Sequence, residues 1–72
     1  MAKVYNVTGT AEDSSGKITF NMNVGAMNKT EARLLVQDEM IGRGLSNPDA
    51  SGKVVFLGAN SKWNVGRTLW LT

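Results

Sequence analysis

Cysteine and histidine are both absent from the 72-residue chain. Their absence excludes disulfide staples, thiolate nucleophiles, zinc sites of the Cys/His kind and any imidazole general base. Charge of either sign is also scarce. Eight Lys and Arg stand against six Asp and Glu, a net charge of +2. The high pI of 9.3 exaggerates this small excess, because little titrates between the carboxylates and the amines. So small an excess argues only weakly for a polyanionic partner. No apolar run approaches the roughly 18 residues of a membrane span. The start, Met1-Ala2-Lys3-Val4-Tyr5, lacks the apolar region of a signal peptide. The expected location is therefore the cytoplasm, with no membrane partner, and the sequons at Asn6 and Asn28 read as chance.

What is present is globular: 42% hydrophobic and 19% charged residues. A chain this short is one domain, 1–72, burying about 60% of its unfolded surface. The clearest pattern is Lys17-Ile18-Thr19-Phe20-Asn21-Met22-Asn23-Val24. Its period of two predicts a strand with one face buried and one in water. Lys3 to Thr10, rich in Val, Thr and Tyr, is a second strand. Glu12-Asp13-Ser14-Ser15-Gly16 joins them as a hairpin loop.

Asn28 and Glu31 resemble a capping box opening a helix that runs to Ile41, with Thr30 as the competing N-cap. Gly42 and Gly44 stop it, one in the left-handed C-terminal role. Leu45 to Gly52 reads as a turn-rich loop. Gly52 to Gly58 is a strand whose four consecutive apolar residues predict a central or doubly covered position. Trp63 to Val65 and Thr68 to Leu71 read as one bulged strand. The order ββαββ predicts an α+β two-layer sandwich, an antiparallel sheet of three to four strands with one helix on one face. Ile18, Phe20, Met22 and Val24 should meet the helix, joined by partners from Val4, Val7, Val55, Leu57 and Leu69.

Little chemistry fits these residues. Glu12-Asp13 and Asp38-Glu39 lack the spacing of a calcium loop, so no metal site is expected. Ser61-Lys62 are sequence neighbours in a polar turn, and Gly44 with Gly52-Lys53 is not a phosphate loop. No cofactor and no catalysis are expected.

Two surfaces stand out instead. On the helix, Ala32, Leu35, Val36 and Met40 share one side. Leu34 and Ile41 lie seven apart on roughly the opposite side, either packed beneath a loop or exposed as a contact strip. The second surface is Asn60, Lys62, Trp63, Asn64 and Arg67. There a tryptophan flanked by cations could stack a base, anchor a protein contact, or simply cap the core edge. The polar side of the hairpin, Lys17, Thr19, Asn21 and Asn23, is either a solvated face or a flat platform without stacking aromatics.

The hairpin, single helix and later strand ending in Val54-Val55-Phe56-Leu57-Gly58-Ala59-Asn60-Ser61-Lys62 resemble the layout of small phage anti-CRISPR proteins. Leu57-Gly58-Ala59-Asn60 is similar to a stretch of a type I-F inhibitor. The hairpin with Val7-Thr8-Gly9 and the later helix also resemble a large-subunit ribosomal protein family of archaea and eukaryotes. The first resemblance implies a phage or mobile-element inhibitor that binds a host protein complex in the host cytoplasm. Beside it stand a nucleic-acid-binding module using Lys62, Trp63 and Arg67, and a structural homo-oligomer closed through sheet edges, a homodimer among its forms.

Overall fold

A computed structural model describes residues 2–72. Two long strands form the backbone of the sheet, β1 (Ala2–Asp13) and β2 (Gly16–Ala26). They pair antiparallel from Lys3↔Ala26 to Asp13↔Gly16. The tight turn holds this register: Ser15 donates its amide to the Asp13 side chain at 2.7 Å. Gly16 adopts the positive φ that the turn requires.

Helix α1 (Lys29–Gly42) begins where the sequence places it. The Asn28 side chain accepts the Glu31 amide at 2.8 Å, and Glu31 reaches back to the Met27 amide at 2.9 Å. Gly44 ends the helix at φ 81. Its amide donates to the Ile41 carbonyl, and the Leu45 amide to the Met40 carbonyl, which satisfies the last turn in a Schellman arrangement. Ala32, Val36 and Met40, at helical spacing, are fully buried against the sheet. The facing sheet residues are Tyr5, Val7, Ala11, Phe20, Met22, Val24 and Ala26, with Ile18, Leu35 and Trp70 at the margins. The α+β architecture, an antiparallel sheet with one helix on one face, thus agrees with the sequence reading.

Three expectations need correction. Ser46–Asp49 is not loop but a short strand, β3, pairing Glu12↔Ser46 and Thr10↔Asp49. Side chains assist it: Asn47 donates to the Glu12 carboxylate at 2.7 Å, and the Ser46 hydroxyl to the Glu12 carbonyl. The open edge of β1 demands partners, and that tertiary need overrides the turn-like composition. Ser51 then donates both its amide and its hydroxyl to Asp49, which holds that carboxyl below its usual range.

The apolar run is β4 (Val54–Asn60), and it is neither central nor doubly covered. It continues the line of β3 along the same edge of β1, with a bulge between Val4 and Tyr5. A 14-residue helix spans only about 21 Å and lies over β1 and β2. Phe56, on the helix side beside Tyr5, therefore stays half-exposed, while Val55 and Leu57 lie on the face turned away from the helix. Finally, the C-terminal region is not one bulged strand. Only β5 (Thr68–Trp70) pairs, with Val24 to Met22 of β2, and Trp63–Val65 lie in a loop. Of the expected extra core partners, Val7 joins the helix-side core and Val4 is buried on the opposite face. Val55, Leu57 and Leu69 are exposed.

Candidate interaction surface

The hairpin register divides β1 and β2 between two faces. Tyr5, Val7, Gly9 and Ala11 look toward the helix, while Val4, Asn6, Thr8 and Thr10 look away from it. On β2 the outward set is Lys17, Thr19, Asn21, Asn23 and Gly25. Among the described residues no second helix covers this face. Its centre is an amide cluster. The Asn6 amide donates to Asn23 at 2.9 Å and to Asn21 at 2.5 Å. Both Asn6 hydrogens are engaged, which leaves the Asn6 oxygen and the Asn21 and Asn23 amino groups without a hydrogen-bond partner among the described residues.

Apolar side chains flank the cluster. Val55 stands beside Asn6 on β4. Leu69 stands beside Asn23 on β5, and Leu71, whose amide donates to the Asn21 carbonyl, follows it by alternation. Leu69 and Leu71 are 50% and 45% exposed, too much for core residues. Between Val4 and Thr10 on β1, and between Thr19 and Gly25 on β2, this face projects no charged side chain. Lys53 stands at its edge beside Thr8.

One end of the face is walled by the loop 61–67. Gly25 is its seat. Gly25 donates to the Arg67 carbonyl at 2.9 Å and accepts from Gly66 at 2.8 Å. A Cβ at this position would stand 2.4 Å from the Asn64 carbonyl oxygen, so only glycine permits the approach. Trp63 lies against this seat, and a shallow groove of about 270 Å³ opens between it and β4. Val4 and Asn23 form its floor, with Leu57, Gly58, Ala59 and Asn60 along the side.

The structure gathers Asn60, Lys62, Trp63, Asn64 and Arg67 at this loop. Asn60 shapes the turn by accepting the Lys62 amide on its side chain at 2.9 Å. The Arg67 guanidinium lies 4.8 Å over the Trp63 ring and donates to the Lys62 carbonyl at 3.3 Å. An incoming base would have to displace that guanidinium before stacking on the ring face it covers. Trp70 is arranged likewise at the other margin of the core, with Phe20 beside it and the Arg43 guanidinium 5.0 Å over its ring. Leu34 and Ile41 are remote from this loop. They lie on the outer side of the helix, 56% and 60% exposed, and do not pack beneath any segment.

Charge is segregated along the long axis. Five of eight cations (Lys3, Lys29, Arg33, Lys62, Arg67) belong to the end where β2 gives way to the helix. Five of six carboxylates (Glu12, Asp13, Asp38, Glu39, Asp49) belong to the hairpin end and the second half of the helix. Among the described residues no group of carboxylates could hold a metal ion, and no helix is long and apolar enough to cross a membrane. Comparison with known protein families, with curated proteins and with solved structures finds no match.

Sequence points to none of Asn6, Val55, Leu69 and Leu71 as contact residues: it assigns Val55 and Leu69 to the core and reads Asn6 only as a chance sequon. Asn6 had a signal: the tight turn fixes the register and sets it across from Asn23.

Proposed function

We propose that this chain is a small non-catalytic protein-binding domain whose principal contact surface is the open face of the sheet. One observation carries the reading. The face exposes aliphatic side chains around a neutral amide cluster and has no charge at its centre. Interface cores are depleted in charge, whereas a solvated sheet face normally carries it. A phosphate-binding surface would need a cluster of cations there; the nearest, Lys53, stands at the edge, with Lys62 and Arg67 at one end and Lys17 at the other.

The resemblance to phage anti-CRISPR proteins supports a host protein complex as the eventual target. The exposed Leu34 and Ile41 on the far side offer a second, smaller contact. The test is a fluorescence-anisotropy titration with DNA and RNA oligonucleotides near physiological salt. With only Lys62 and Arg67 to neutralise phosphates, single strands should bind weakly, with a log–log salt slope of about −1.4. A submicromolar, sequence-dependent affinity that is lost in Trp63→Ala would overturn the reading in favour of a nucleic-acid module.

A further inference from the structure

We infer that the open face is occupied by a second copy of this chain, packed sheet against sheet about a two-fold axis that crosses the strands near Thr8 and Asn21. The inference rests on the reading of this face as a protein interface and names its occupant. Three observations support it.

The first is size. The molecule measures 37 × 20 × 19 Å, with the helix stacked on one side of the sheet only. Its broad face offers a footprint on the order of 700 Å² per protomer, close to the roughly 800 Å² that a standard stable interface takes from each partner.

The second is the charge axis. Face-to-face packing about an in-plane two-fold has two limiting orientations, with the axis along the strands or across them. An axis along the strands would stack basic end on basic end. An axis across the strands sets Lys62 and Arg67 of one protomer against the hairpin end of the other. There Glu12, Asp13 and Asp49 outnumber Lys17. Only the second orientation is electrostatically complementary. Lys53 shares the row of Thr8 and Asn21 and so faces its own copy across the axis, but at the rim, where both long chains carry their ammonium groups apart into water.

The third is the hydrogen-bonding of the centre. The unpaired Asn6 oxygen can accept, and the unpaired Asn21 and Asn23 amino groups can donate. A surface that holds both kinds of group beside the axis can meet its own copy, as an isologous interface requires. The loop 61–67 then stands as a wall at each end, and each partner's hairpin abuts it.

Sedimentation equilibrium and light scattering of the intact chain, from ~1 μM to ~1 mM, test this, with circular dichroism confirming that each variant folds. The wild type should be dimeric. Asn21→Lys, which sets two ammonium groups against each other at the axis, should weaken association at least ~100-fold. Leu34→Glu with Ile41→Lys, on the helix, should leave it unchanged. Lys62→Glu should weaken association ~5–10-fold at low salt, and adding Glu12→Lys should restore it, because the reversed pair recovers the attraction. A wild type that stays monomeric at ~1 mM overturns the second copy and leaves the face to a foreign protein. A dimer that ignores Asn21→Lys but is broken by the helix variant overturns both the inference and the reading of the face. A dimer in which Lys62→Glu and Glu12→Lys are merely additive overturns the crossed orientation.

Discussion

Phe20→Ala should nearly unfold the protein, and the structure shows why the loss is large. Phe20 is 3% exposed, on the helix-facing side of β2. Its ring lies over Gly9, where an added Cβ would stand 2.8 Å from Cζ. On its other flank Trp70 packs with ring centroids 6.2 Å apart. Deleting the ring therefore leaves a void beside a residue with no side chain to fill it. Trp70 is held by β5 pairing and by Arg43 above it, so collapse into the void is limited. The cost should fall in the range of about 3–5 kcal/mol typical of buried Phe→Ala changes. A 72-residue domain has only about 4–11 kcal/mol in total. At ~4–8 °C per kcal/mol, the melting temperature should drop by about 12–40 °C. Phe20→Leu, which keeps most of the volume, should cost under ~1.5 kcal/mol. Thermal unfolding followed by circular dichroism reads both. An alanine variant that melts within ~5 °C of the wild type would show that Phe20 is not the keystone of this face.

Other substitutions probe separate parts of the structure. Asn28→Ala removes the acceptor of the Glu31 amide and should cost ~1 kcal/mol, seen as a melting point lower by about 4–8 °C. Gly25→Ala forces a Cβ against the Asn64 carbonyl. It should lift the loop 61–67 at a cost of about 1–3 kcal/mol, with a red-shifted Trp63 emission as the readout. Leu34→Glu with Ile41→Lys, both on exposed sites, should change stability by no more than ~0.5 kcal/mol per site; unfolding of that variant would make the strip part of the core.

How much of this was legible in the sequence follows from which forces are local. The alternation from Ile18 to Val24 appears because one face of β2 is buried and the other is not. The helix start is legible because Asn28 and Glu31 bond to backbone within a few residues of themselves. Strand β3 was hidden because Ser46–Asp49 becomes extended only by pairing with Thr10 and Glu12, over thirty positions away. The run Val54–Leu57 was misread because hydrophobicity does not reveal how far a single helix reaches across a sheet. At the candidate site, Lys62, Trp63 and Arg67 are near in sequence and their grouping was visible. That Arg67 lies on the Trp63 ring, and that Gly25 seats the loop, depends on β5 returning along β2.

The most direct measurement is a concentration series of ¹⁵N-resolved spectra from ~10 μM to ~1 mM, following backbone and Asn side-chain amides. The expected result is a set of progressive shifts on the open face, at Asn6, Thr8, Asn21, Asn23, Val55 and Leu69, with the outer helix positions Leu34 and Ile41 unmoved. Spectra that do not change across this range while the amide relaxation is that of a monomer, or shifts confined to the helix, would contradict self-association through the open face.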